Sequence, residues 1–218
     1  DTPSAIVSAD LDSDSDGDLV INTYHGYGGG TLSVFTNLGG GSFTMISPDF
    51  GTAQYLFPTV ADFDNDQYPD IVLTGDESFV LDLFKGNGDF TFSKLAATQL
   101  GELANLTQAV TGSSCAYIDG DDLLDIIIMH DSPGGFSLYS QNADHTFSKT
   151  FNGPASGDGA LMALWADYDN DGDQDFLSNG FEGGSILYRN NGDGTFSEVT
   201  DSGLELDGFI AAAWGVYD

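Results

Sequence analysis

The chain has 218 residues and a formal net charge of -31, with four Lys plus Arg set against thirty-five Asp plus Glu. So acidic a molecule repels nucleic acid and anionic membrane surfaces, and its compact form would repel itself unless the acid is organised and neutralised. Forty per cent apolar residues, sixteen Phe and nine Tyr exclude disorder, and the length suffices for one large domain or for a window on something longer.

Cys115 is the single cysteine, so no intrachain disulfide can form and metal is left as the staple. No stretch approaches the roughly 20 apolar residues of a membrane span. The opening Asp1-Thr2-Pro3 carries no basic segment followed by an apolar run, which predicts a mature secreted form or a trimmed start.

Taken in chain order, one acidic pattern returns: Asp10-Leu-Asp-Ser-Asp-Ser-Asp-Gly-Asp18, Asp62-Phe-Asp-Asn-Asp-Gln-Tyr-Pro-Asp70, a weaker copy over Tyr117 to Asp125, and Asp167-Tyr-Asp-Asn-Asp-Gly-Asp-Gln-Asp175. The copies begin at 10, 62, 117 and 167, a period of about fifty residues. Each is followed at once by a short apolar run, Leu19-Val20-Ile21, Ile71-Val72-Leu73, Ile126-Ile127-Ile128-Met129 and Phe176-Leu177, which reads as a strand buried on both faces. Upstream of each acidic loop lies a strand rich in small residues, as in Ala160 to Ala166.

A second element keeps its own spacing, from Val34-Phe35 to Phe43, Leu83-Phe84 to Phe92, Leu138-Tyr139 to Phe147 and Leu187-Tyr188 to Phe196. The Gly, Asn and Asp between each pair, clearest in Asn190-Asn191-Gly192-Asp193-Gly194, are hairpin residues that tolerate positive φ. Each unit therefore reads strand, acidic loop, strand, variable loop, strand, tight turn, strand. That is an all-β chain of β-propeller-type blades, four-stranded and antiparallel. The repeats are placed at about 4–52, 53–106, 107–157 and 158–207. A partial fifth starts at 208–218, because Phe209 to Asp218 matches Leu161 to Asp169 in phase, so the chain is expected to be a window on a longer array.

Within the acidic loops, carboxylates stand at positions one, three, five and nine. On a tight turn the first three converge, and a carbonyl at seven can complete the ring. All-oxygen, multiply anionic ligation suits Ca2+, which takes six to eight oxygens; Mg2+ prefers fewer carboxylates and keeps water. The absence of His and Cys from the loops disfavours zinc and copper. Position twelve is Ile21, Leu73, Ile128 and Ser178, never Glu, which excludes an EF-hand. A solvated acidic turn is the plain alternative for one copy, since Asp is a common turn residue. Four copies in register weigh against it, and eighteen of the thirty-five acidic residues lie in these loops.

The register Asp-x-Asp-x-Asp-(Gly)-x-x-Asp before an apolar strand, with Asn-Asn-Gly-Asp-Gly-Thr-Phe about twenty residues on, resembles the FG-GAP/VCBS repeats of integrin-α-type propellers over essentially the whole chain. The resemblance implies a Ca2+ in the loop joining the first two strands of each blade. Carried over residue by residue, the carboxylate ligands are Asp10, Asp12, Asp14 and Asp18; Asp62, Asp64, Asp66 and Asp70; Asp119, Asp121 and Asp125; and Asp167, Asp169, Asp171 and Asp175. The implied carbonyl donors are Asp16, Tyr68, Leu123 and Asp173. The third loop departs from the pattern, with Tyr117 in place of the first Asp and Asp122 where Gly is preferred, and is expected to be the weakest site. The fourth keeps Gly172 and is expected to bind best, so three to four ions are expected in all.

Nothing else in the sequence points to catalysis, and the chain is expected not to be an enzyme. Carboxylates at ligand spacing in every repeat leave no odd pair for acid and base work. Gly112-Ser113-Ser114-Cys115 lacks a nucleophile elbow, and His25, His130 and His145 are each placed in a loop. Cys115 is placed at the start of a first strand as a buried small residue. Tyr24 and Tyr27, on the Gly-rich connection to Gly30, are candidates to stack on a sugar or dock a partner, with a loop free of function as the alternative. Asn105-Leu106-Thr107 is a candidate glycosylation sequon.

The function these features predict is an extracellular, secreted or cell-surface, Ca2+-rigidified scaffold for adhesion, presenting loops to a protein or glycan partner. Alternatives are a carbohydrate-binding lectin, a non-catalytic accessory domain of a secreted enzyme, and a self-assembling fibre subunit.

Overall fold

A computed structural model describes residues 2–24, 30–50, 55–75, 81–131, 134–154, 160–180, 185–204 and 214–215. Strands β1 (Thr2–Ala9), β2 (Asp18–Tyr24), β3 (Gly30–Asn37) and β4 (Phe43–Ile46) form the first blade. The second blade holds β5 (Tyr55–Ala61), β6 (Asp70–Gly75), β7 (Leu81–Gly86) and β8 (Phe92–Lys94). The third holds β9 (Val110–Ala116), β10 (Asp125–His130), β11 (Phe136–Gln141) and β12 (Phe147–Asn152). The fourth holds β13 (Ala160–Ala166), β14 (Asp175–Gly180), β15 (Ser185–Asn190) and β16 (Phe196–Glu198). Within each blade every pairing is antiparallel between sequence neighbours, and the first two blades are linked into one sheet by the single β3–β5 pair Gly30↔Tyr55.

Each blade repeats its irregularities as well as its strands. The first strand shifts register at the same place in all four, between Pro3 and Ala5, between Tyr55 and Phe57, opposite Met129/His130, and between Ala160 and Met162. Such a bulge bends the strand and raises its local twist. The second strands are the most deeply buried: β6 and β10 are buried at every residue, as a strand covered on both faces must be.

The chain divides into two compact units, residues 1–109 and 110–218, with two blades in each. In the first unit, Val20 and Val34 on one face of blade one pack against Ile71, Leu73 and Phe84 of blade two, with Phe50 and Leu11 closing the cluster. In the second, Ile127, Phe136 and Leu138 of blade three meet Phe176, Tyr188 and Phe196 of blade four. The apolar run after each acidic loop thus sends alternate residues to opposite sides of its sheet. Within each unit the first strands of the two blades, β1 with β5 and β9 with β13, are neighbours. Trp165 Nε1 donates to Ser114 Oγ at 2.9 Å between β13 and β9. Trp214, in phase with Trp165 in the sequence, donates its Nε1 proton to the Leu164 carbonyl at 2.9 Å.

Two placements differ from the sequence reading. His130 is the last residue of β10 rather than a loop residue; it is buried, and its Nε2 lies 2.7 Å from Ser137 Oγ. A histidine following four buried apolar residues continues the strand because its imidazole finds a polar partner across the sheet. Cys115 stands near the end of β9, not its start, and is half-buried, with burial pushing its thiol up to about 11. The connection before the third repeat contains a short α-helix, α1 (Ala97–Leu100), and a 3-10 turn over Glu102–Asn105, anchored by buried Leu100 and Leu103.

Candidate metal centres

The four acidic loops join the first and second strands of their blades, and one hydrogen-bond scheme holds all of them. Position nine begins the second strand, and its carboxylate is buried: Asp18, Asp70, Asp125 and Asp175 are at most 1% exposed. One of its oxygens accepts the N–H of position two, from Leu11 at 2.9 Å, Phe63 at 2.9 Å, Ile118 at 3.2 Å and Tyr168 at 3.1 Å. The other accepts the N–H of the residue ending the third strand, from Asn37 at 2.8 Å, Gly86 at 2.9 Å, Gln141 at 2.9 Å and Asn190 at 2.8 Å. The carboxylate is therefore a bracket that closes the loop on itself and bolts it to its blade. Burial makes this costly for the charged form, pushing Asp70 and Asp125 up to about 7 and raising Asp175 as well.

Position one folds the loop from within. The N–H groups of positions five and six donate to its two oxygens in the first, second and fourth loops, as in Ser15 to Asp10 at 3.0 Å, Gln67 to Asp62 at 2.8 Å and Gly172 to Asp167 at 3.1 Å. Position five then accepts the N–H of position seven, from Asp16, Tyr68, Leu123 and Asp173 at 2.9 to 3.0 Å. Those four residues are the expected carbonyl donors, and their own N–H groups set them at the turn. The winding needs positive φ at position six, at Ser15, Gln67, Asp122 and Gly172, and also at position four, at Ser13, Asn65, Gly120 and Asn170. The second requirement was missed in the sequence, although Asn and Gly at that place are residues that tolerate it.

Three loops gather carboxylates into groups whose ligand atoms lie within 4.8 Å of one another: Asp10, Asp12 and Asp18; Asp62, Asp64 and Asp66; Asp167, Asp169 and Asp175. Asp14, Asp70, Asp171 and the position-seven side chains of Asp16 and Asp173 fall outside these groups. Among the described residues the third loop forms no such group; Asp119, Asp121 and Asp125 lack the position-one carboxylate that Tyr117 replaces, and Tyr117 itself is exposed. The donor set is all oxygen and multiply anionic, and two buried carboxylate oxygens, Asp16 Oδ1 and Asp64 Oδ1, have no hydrogen-bond partner. Asp12 is raised by burial and by the charge of Asp14. Unsatisfied, mutually repelling carboxylates of this kind fit an oxygen-seeking cation such as Ca2+.

Two basic residues at these loops carried no signal in the motif. Lys85, near the end of β7, pairs with Asp64 and lies 2.7 Å from Asp66 Oδ2. Arg189, at the same place in β15, places Nε 3.0 Å from Asp169 and a terminal nitrogen 2.8 Å from Asp171. The hydrogen bond from Arg189 holds Asp171 below its ordinary range. At Asp66 burial is the largest influence and raises it, but the Lys85 hydrogen bond and charge together with the Tyr68 N–H bring it below its ordinary range. Scarcity could have found them, because the chain has only four basic residues.

The tight turn between third and fourth strands lies against the loop. A Cβ at Gly192, where φ is 74°, would sit 2.8 Å from Asp173 Oδ2, and one at Gly88 would run into the Tyr68 ring. The fixed distance between the two sequence elements is thus a packing distance. Of the other candidates, Asn105 is exposed at the end of its 3-10 turn. Tyr24 ends β2 with its side chain outside the described residues, where Tyr27 and His25 also lie.

Four antiparallel blades in tandem, each carrying an acidic loop between its first two strands, define a β-propeller-type repeat protein. A family model described as FG-GAP-like repeat matches residues 10–73, 62–128, 117–178 and 167–217, and the chain belongs to that family. Among solved structures 22 chains match. One is an Agrocybe aegerita lectin, described as specifically recognising non-reducing terminal N-acetylglucosamine, with 20% identity, a TM-score of 0.58 and 90% of this chain covered. The chain spans 52% of that lectin's length, and the likeness is one of fold. No curated protein matches significantly.

Proposed function

We propose that the chain is an extracellular scaffold whose blades are rigidified by Ca2+ and which presents its loops to a protein or glycan partner, without catalysis of its own. The observation that carries this reading is the recurrence of a three-carboxylate group in the loop between the first two strands of three blades, each loop wired by its position-nine aspartate to the sheet. A cation that binds only the folded loop stabilises it by RT ln(1 + [L]/Kd), about 2.7 kcal/mol per site at a hundredfold excess over Kd. Calcium at extracellular millimolar levels suits weak modular sites of this type. Calorimetric titration with Ca2+, paired with thermal melting, tests it: melting should rise by several degrees between EDTA and a few millimolar Ca2+. Identical melting in the two conditions would sink the calcium reading.

Glycan binding is the second reading, favoured by the likeness of fold to a lectin. A glycan array probed with and without EDTA separates it from a protein-binding scaffold. In a secretory setting, exposed Asn105 would carry a glycan, and Asn105→Gln would abolish the mass removed by a glycosidase.

A further inference from the structure

Half of the chain's four basic residues stand at one place in the repeat. Lys85 and Arg189 each precede the residue whose N–H binds the position-nine aspartate, Gly86 in one blade and Asn190 in the other. From there each spans the carboxylates of positions three and five in its own loop. In the first and third blades the residues before Asn37 and Gln141 are Thr36 and Ser140, too short and uncharged to do this.

The consequence is clearest at position five. Its Oδ1 accepts the position-seven N–H in every loop. In the second and fourth loops its Oδ2 is also taken, by Lys85 on Asp66 and by Arg189 on Asp171. A dication entering those loops meets a monovalent charge already seated on two of its ligands. In the first loop it meets none from the third strand.

We propose that Lys85 and Arg189 are tethered counter-cations that hold the second and fourth loops closed without metal and compete with Ca2+ there, leaving the first loop as the tightest calcium site. The proposal rests on the calcium reading above and replaces the ordering that Gly172 alone would give. Competition rather than blockade follows from the side chains themselves. They are 34% and 49% exposed, long and flexible, so either can swing into solvent when metal arrives. While seated they screen the repulsion among carboxylates that otherwise opens a metal-free loop.

Calcium titration and melting of the 218-residue chain test this with Lys85→Met, Arg189→Met and Thr36→Lys. In the parent chain a tight class of site should vanish in Asp12→Asn, leaving weaker sites. Each Met variant should tighten one weaker site about three- to tenfold, the scale expected for removing one screened charge beside a dication. Each should also melt lower than the parent in EDTA and gain more on adding calcium. Thr36→Lys should weaken the tight class by a similar factor; because it leaves both existing ion pairs intact, it decides the matter if a Met variant does not fold. Met variants with parental affinities, or with an equal loss of melting temperature in EDTA and calcium, would overturn the proposal, as would an unmoved tight class in Thr36→Lys. If the parent chain binds no calcium at all, the calcium reading falls and this inference with it.

Discussion

Replacing Asp125 by Asn separates the bracket from the ligand. Asp125 is fully buried in the loop that gathers no carboxylate cage, and it accepts backbone N–H groups from Ile118 at 3.2 Å and Gln141 at 2.9 Å. Asn keeps one acceptor and turns an NH2 toward the other N–H. One charge-assisted hydrogen bond is lost, about 1.5–3 kcal/mol, and a buried backbone donor is left unsatisfied, about 1–3 kcal/mol. Against this, the carboxylate is itself costly to bury, as its rise to about 7 records. The net loss should be about 2–3 kcal/mol, which for a chain of this size lowers melting by about 5–10 °C. Circular dichroism melts in EDTA and in saturating Ca2+ should give the same loss, because no cage depends on this residue. Asp12→Asn should behave oppositely, abolishing part of the calcium-induced gain with little change in EDTA. A melting temperature for Asp125→Asn within a degree or two of the parent, or a loss seen only with calcium, would refute the reasoning.

Two further tests address acid and core. Asp70 and Asp125 sit near 7 in the fold against about 3.9 in an unfolded chain, so between those values the fold binds more protons than the unfolded state. Their contribution to stability is present below the unfolded value and lost as pH rises through about 7. In EDTA the melting temperature should therefore fall from pH 5.5 to pH 8, and a flat or rising profile would contradict the bracket electrostatics. Phe136 meets Phe176 and Tyr188 edge-on, each at 5.0 Å between ring centroids, and is buried. Phe136→Ala should cost about 3–5 kcal/mol by urea denaturation, and a loss under about 1 kcal/mol would mean that the ring cluster does not carry the second unit's core.

The blade was legible because its code is local. Strand after acidic loop, hairpin residues at a fixed offset and apolar pairs at a fixed offset all depend on backbone conformations that neighbouring residues dictate. Tyr117 at the head of the third loop likewise shows in one residue that this loop lacks the first carboxylate of the pattern, and no three-carboxylate group forms there among the described residues. His130 was misplaced because a single polar residue after an apolar run carries no sign of a partner such as Ser137 across the sheet.

What the sequence determined by itself is the repeat: its period, its four strands and the clustering of carboxylates into loops. Tertiary structure alone decided that the aspartate at position nine is a bracket, because its partners are backbone N–H groups of Asn37, Gly86, Gln141 and Asn190, and a backbone donor has no letter in the sequence. It decided also that the second and fourth loops each carry a basic side chain on their carboxylates. Lys85 and Arg189 lie about twenty residues from the carboxylates they cover, and only the hairpin that folds the third strand back along the second brings that charge to the loop.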